Sequence, residues 1–267
     1  MIAQPPRFNA IVLAADRGHD DPVAAAAGVP AKCLTPIAGK PMLLRVLQAL
    51  VQSQQVGTIL LCGPKAEILE RSPELRQLLS DGAVQWIEQQ ATPSRSAAAA
   101  LEALPAEQPV LLTTGDHALL SPGMVQYFLD RAGATTGCDV AFALAPHELV
   151  QSAYPRSRRT VLKFSDGNFC GCNLFAFLSP RGRGMAQLWQ QVEDRRKTPI
   201  RVISLIGWRA MALYAMGWLS LKGALRRLSR KTGIRVGMVT MPFAEAAIDV
   251  DSVEDLNLVR NILARPD

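Results

Sequence analysis

The chain is poor in the residues that staple or metallate small proteins, with five Cys and three His among 267 residues. The cysteines stand at 33, 62, 138, 170 and 172, an odd set without a CxxC pair. Neither a disulfide framework nor a Cys/His zinc cluster is expected, and reduced thiols in a cytoplasmic protein are. Cys170 and Cys172 flank Gly171 in a strand-like run and read as small core fillers. Gly (19) and Pro (18) follow no period, which excludes collagen, and a 49% hydrophobic content excludes disorder. Long apolar runs are also lacking. Ala10 to Ala15 is too short for the core of a secretory signal and reads as a first strand. The longest stretch, Ile200 to Leu221, is interrupted by Arg201, Gly207, Arg209 and Gly217. Two Arg at about 2.5–3.5 kcal/mol each at a bilayer centre argue against a spanning helix.

What is present is a globular composition with unevenly spread charge. The formal charge is +6, yet Arg181 to Arg235 holds thirteen basic and two acidic residues, so the rest of the chain is net acidic. A uniformly basic coat would suit nucleic acid. One basic segment on a mildly acidic body points instead to a local anionic partner, with no specific nucleic acid expected.

Strand-like and helical patterns alternate. Strands are expected over Asn9 to Ala15, Thr58 to Cys62, Val84 to Glu88, Pro109 to Thr113, Asp139 to Ala145 and Ile234 to Met241. Helices are expected over Pro41 to Ser53, Ala66 to Leu79, Ser96 to Leu104, Gly123 to Ala132 and Ser252 to Leu263, the last with a Ser252-x-x-Asp255 approximation of a capping box. Thr160 to Phe164 and Asn173 to Phe177, joined by a Ser-Asp-Gly-Asn turn, read as an antiparallel pair. The fold class is therefore a three-layer α/β/α sandwich, Rossmann-like, on a mixed and mainly parallel sheet. Such sheets bind ligands at the carboxyl ends of their strands.

The first strand runs into Leu13, Ala14, Ala15, Asp16, Arg17 and Gly18, a small-residue turn whose N–H groups can cradle phosphate. Arg17 and Lys32 add positive charge where an anion would lie. Downstream stand Leu34, Pro36, Gly39, Lys40 and Pro41. A second apolar strand, Val110 to Thr114, delivers Asp116. Near the other end comes Asp249-Val250-Asp251-Ser252-Val253-Glu254-Asp255-Leu256, where strand alternation would put Asp249 and Asp251 on one face.

These three motifs, in this order, resemble the nucleotidyltransferases of GT-A-like fold, the group holding sugar-phosphate, polyol-phosphate and MobA-like molybdenum-cofactor enzymes. The resemblance covers most of the chain except Met185 to Arg235. Asp16 departs from the family's usual Gly, and Ala31 separates Pro30 from Lys32. It implies transfer of a nucleoside monophosphate from an NTP to a phosphorylated small-molecule acceptor, with release of pyrophosphate. It implies Lys32, Arg17 and Asp116 as catalytic residues, with Leu13 to Gly18, Gln89, Ser94 and Ser96 also at the nucleotide. Mg²⁺ would be held by Asp116 and Asp249, with Asp251 second, since this ion needs only one or two carboxylates beside phosphate oxygens. Asp116 has a plainer reading as a turn or capping residue. So have Ser94 and Ser96, as an N-cap.

The resemblance places Asn173 toward the acceptor, with Arg158 and Arg159 on its phosphate; a solvated loop is the other reading of the arginines. A GT-A glycosyltransferase is the competing enzyme, although His117 and Ala118 after Asp116 leave it without an Asp-x-Asp at that strand. The Asp16 departure keeps a non-catalytic nucleotide sensor in view. The chain is read as one domain, 1–267, with a basic helical insertion at 185–235. Trp189, Trp208, Tyr214 and Trp218 lie in that insertion among Arg and apolar residues. It reads as a helical cover over the acceptor pocket, as a homodimer contact, or as a peripheral contact with an anionic membrane.

Overall fold

A computed structural model of the protein describes residues 8–14, 21–193 and 207–264. The chain runs β1 (Phe8–Leu13), α1 (Pro22–Ala27), β2 (Pro36–Ile37), β3 (Lys40–Pro41), α2 (Met42–Gln52), β4 (Val56–Gly63), α3 (Ala66–Leu69), α4 (Pro73–Ser80), β5 (Val84–Glu88), α5 (Pro93–Ala103) and β6 (Val110–Thr114). It continues through α6 (Pro122–Ala134), β7 (Val140–Pro146), α7 (His147–Ala153), β8 (Val161–Phe164), β9 (Gly167–Phe177), α8 (Gly184–Glu193), α9 (Trp208–Ala215), α10 (Leu221–Thr232), β10 (Val236–Thr240) and α11 (Val253–Leu263).

Eight strands form one sheet in the order β10-β7-β9-β6-β1-β4-β5, with β8 added to β9. β9 runs antiparallel to β6, β7 and β8; the other pairs are parallel. Alternation along β1 shows why both faces are covered. Ala10 and Val12 join Leu47, Phe128 and Leu256 in one apolar cluster, while Ile11 and Leu13 join Ala97 and Leu101 in the other. Burying each large aliphatic side chain contributes roughly 1.5–3 kcal/mol, so β1 is held from both sides and its end is a fixed point. Cys62 and Cys172 are buried, and burial pushes both thiols up to about 12, as befits core fillers. No helix among the described residues is long and apolar enough to cross a membrane.

Several expectations change. The helix expected over 66–79 is two helices, because Pro73 lacks an N–H and Ser72 caps a new start at Leu75 N. The helix expected from Ser96 begins at Pro93, capped by Thr92. α7, at seven residues, is too short to show a period in the sequence. The antiparallel partner of β8 is Gly167 to Cys170, whereas Phe175 to Phe177 pair with β6 and β7. Asp249 and Asp251 lie in an irregular segment, not a strand, so alternation does not align them. Of the basic insertion, 194–206 falls outside the described residues, and so does the apolar half-run beginning at Ile200; the rest contributes α8, α9 and α10.

Candidate active site

The parallel strands β1, β4 and β6 end together, with Leu13 in register with both Cys62 and Thr114. Ala14 N donates to Cys62 O at 2.8 Å and Gly115 N to Leu13 O at 2.8 Å, which continues the ladder one step beyond the strands. The backbones then approach so closely that a Cβ on Gly115 would stand 2.8 Å from Ala14 Cβ. Gly115 thereby sets the height at which Asp116 leaves the sheet. Val250 N donates to Asp116 O at 3.1 Å and ties the C-terminal segment to the same point.

Lys32 opens a short 3-10 turn behind the buried Ala31. Its ammonium donates to Asp116 Oδ2 at 2.9 Å and to Asp251 Oδ1 at 3.0 Å. Burial alone would lower the Lys32 pKa, but the charges of and hydrogen bonds to Asp116 and Asp251 outweigh it, and the pKa is raised. The lysine stays charged. Asp116 Oδ1 is buried without a hydrogen-bond partner, an acceptor left for something else to satisfy.

Asp249 faces the same region from the other side. Its Oδ2 accepts from Asn173 Nδ2 at 2.9 Å, and its Oδ1 pairs with Arg159 Nη1. Burial, then the charges of Asp116 and Asp251, push its pKa up, against the pull of Arg159. Asn173 reaches it from a bulge in β9, where its φ is +47° and two positions along β7 match four along β9. Arg159, 9% exposed, also pairs with Asp255, whose carboxylate closes a capping box with Ser252 at the start of α11.

A cavity of about 440 Å³ lies over this floor, lined by Leu13, Ala14, Lys32, Asp116 and Asp251 on one side and by Gln90, Thr92 and Pro93 on the other. Asp21 and Pro22, at the start of α1, complete its mouth. The site thus joins five sequence-selected residues, Leu13, Ala14, Lys32, Asp116 and Asp251, from distant parts of the chain. The loop at 89–93 differs from expectation. Gln90 and Thr92 line the cavity, while Ser94 is 6% exposed and Ser96 is fully buried. Ser96 Oγ accepts from Gln90 N at 2.8 Å, so it holds the loop rather than a ligand, and Gln89 N is bound to Gly63 O. The helix cap is Thr92, which neither serine reading assigned.

Arg158 is exposed, and Arg159 and Asn173 both turn to Asp249, forming a support for that carboxylate. Ala15, Asp16, Arg17 and Gly18 lie outside the described residues. Among the described residues no cluster of three or more His, Cys, Asp or Glu could hold a metal by itself. Buried behind Asp116, His117 has no well-aligned partner on either ring nitrogen, and burial pushes it down to about 4 against the opposing pulls of Asp116 and the Glu245 backbone. Asp255 and His117 escaped sequence reasoning. The only signal for Asp255 was its place in the helix cap.

The family model of the MobA-like NTP transferase domain matches residues 10–235, through the basic helical segment and short of Asp249. A hypothetical transferase from Thermus thermophilus is similar over 94% of this chain and 99% of that one, with a TM-score of 0.77 and 29% identity. CMP:2-keto-3-deoxy-manno-octonic acid synthetase complexed with CTP matches at 15% identity and a TM-score of 0.57, over 97% of this chain and 98% of its own. The 4-diphosphocytidyl-2C-methyl-D-erythritol synthase from Anaerococcus prevotii matches at 14% and 0.56, over 98% and 100%. The last two likenesses concern fold. No curated protein matches at a significant level.

Proposed function

The chain belongs to the MobA-like NTP transferase domain family, and we propose that this nucleotidyltransferase moves a nucleoside monophosphate from an NTP to a phosphorylated small molecule, with Mg²⁺ as cofactor. The observation that carries the reading is the placement of Lys32 between Asp116 and Asp251 on the floor of the cavity. That floor is at the carboxyl ends of parallel strands, where ligands of such sheets bind.

In this mechanism an oxygen of the acceptor phosphate attacks the α-phosphorus in line. The new P–O bond forms as the bond from the α-phosphorus to its bridging oxygen breaks, and pyrophosphate leaves with that electron pair. Protein groups need only position the anions and offset their charge. Lys32 offers a permanently charged ammonium for the triphosphate once it exchanges carboxylate for phosphate contacts. Arg17, in the loop after β1, is assigned to the same anion. The N-terminus of α5 borders the cavity through Thr92 and Pro93, where the positive end of the helix dipole favours an anion.

The unpartnered Asp116 Oδ1 and the raised pKa of Asp249 fit a divalent cation between these two carboxylates, a hard ion with oxygen ligands. Bound there, Mg²⁺ would neutralise phosphate oxygens. Arg159 and Asn173 hold Asp249 in place for it.

The test is pyrophosphate release from the purified protein with a panel of NTPs, CTP first because a fold neighbour was solved with it, and a panel of sugar, polyol and cofactor phosphates. Release that needs both an NTP and a phosphorylated acceptor, and that stops with a chelator, is expected. Binding of NTP without turnover on any acceptor would mark a sensor, and turnover of nucleotide sugars a glycosyltransferase.

A further inference from the structure

Four large apolar side chains are exposed among the described residues: Val51, Trp208, Met216 and Trp218. Three of them fall in or just after α9. Trp208 is 72% exposed and Trp218 is 71% exposed. Their exposure is not that of a loose segment, because the inner side of the same stretch is pinned to the β8–β9 hairpin. Tyr214 packs edge-on against Phe164 at 5.6 Å and accepts from Lys163 N at 3.2 Å. Ser165 N donates to Leu219 O at 3.0 Å, and Asp166 Oδ1 accepts from Leu221 N at 2.7 Å. Trp189, by contrast, packs on Phe175 at 4.9 Å and is partly buried against the core.

The helix that follows is strongly two-sided. Leu225 and Leu228 of α10 lean on the core beneath the sheet, while Lys222, Arg226, Arg227 and Arg230 are exposed. Arg209 adds a cation 5.4 Å from the Trp208 ring. No Asp or Glu occurs from Gly207 to Arg235.

We propose that this face docks peripherally on an anionic lipid bilayer, with Trp208, Met216 and Trp218 at headgroup depth and the α10 cations on the surface charge. Tryptophan is the side chain most suited to that depth, since its ring is apolar and its N–H remains wet. Basic residues beside it are attracted by anionic headgroups, and their aliphatic stems tolerate the boundary. Charge complementarity selects this occupant over a second copy of the chain, because a two-fold contact through this face would bring like charges together. The proposal goes beyond the nucleotidyltransferase reading and stands without it, since its test needs no nucleotide.

The test is co-sedimentation of the full chain with vesicles of phosphatidylcholine, and of phosphatidylcholine mixed with phosphatidylserine, at low and high ionic strength. The protein is expected to sediment with the mixed vesicles at low ionic strength, and to lose about tenfold in partitioning on neutral vesicles or in high salt. The double variant Trp208→Ser/Trp218→Ser and the triple variant Lys222→Gln/Arg226→Gln/Arg230→Gln are each expected to lose about tenfold. Thermal unfolding confirms that each is folded, and either variant alone suffices. Failure to sediment with anionic vesicles overturns the proposal, as does binding indifferent to the substitutions. A lipid-free dimer abolished by the Trp substitutions overturns it in favour of an interface between copies.

Discussion

Lys32 Nζ and Asp116 Oδ2 lie 2.9 Å apart, joining the turn that follows α1 to the end of a central strand. Both side chains are largely buried, and both line the cavity. Lys32→Ala and Asp116→Asn are each expected to lower kcat/KM by on the order of 10²–10³ while far-UV circular dichroism stays unchanged. Near-wild-type turnover in either variant would remove that residue from the mechanism.

Arg159 joins the carboxylates of Asp249 and Asp255. Arg159→Ala leaves the carboxylates of Asp249 and Asp255 without their cation, at a cost of about 3 kcal/mol in urea unfolding. The Arg159 charge lowers the Asp249 pKa, so its loss is expected to move that carboxyl further up, read by NMR titration of the Asp249 side chain. An unchanged titration would mean that Arg159 does not position Asp249.

Gly115 bears on geometry alone. A methyl group there meets Ala14 Cβ at 2.8 Å, and Gly115→Ala is expected to cost about 1–3 kcal/mol because neither strand end can retreat from a packed sheet. The same substitution is expected to weaken NTP binding in calorimetry. A fully stable variant would show that the strand ends are compliant.

His117 gives the pH dependence a sign. Its folded pKa, about 4, lies below the ordinary value of 6.5, so the folded chain refuses a proton that the unfolded chain accepts. Its contribution is therefore complete above pH 6.5 and is lost as pH falls toward 4, up to roughly 3 kcal/mol. The urea midpoint of wild type is expected to fall over this window more steeply than that of His117→Leu. Parallel curves would refute the assignment.

The parts of the site legible in sequence are those that the backbone presents directly. A strand of alternating apolar residues that ends in small ones fixes Leu13 and Ala14, and Val110 to Thr114 deliver Asp116 by the same logic. Lys32 is marked by its place just before the Leu34, Pro36, Gly39, Lys40 and Pro41 run. At 89–93 a proline at the helix start moves the cap to Thr92 and turns Ser96 inward, a shift the serine pattern does not signal. The resemblance sends Arg159 and Asn173 toward the acceptor, but their partner lies 90 and 76 positions away, and no local pattern encodes that pairing. Strand alternation would put Asp249 and Asp251 on one face. In an irregular segment, one turns to Arg159 and the other to Lys32.

The bond between Lys32 and Asp251 spans 219 positions. A ribosome adding about 5–20 residues per second needs roughly 10–40 s to travel between them. For that interval the nascent chain already holds Lys32, and then Asp116, with neither C-terminal carboxylate yet made. Completion of the cavity floor is thus deferred until the C-terminal segment emerges, and until then Lys32 and Asp116 stand without their third partner.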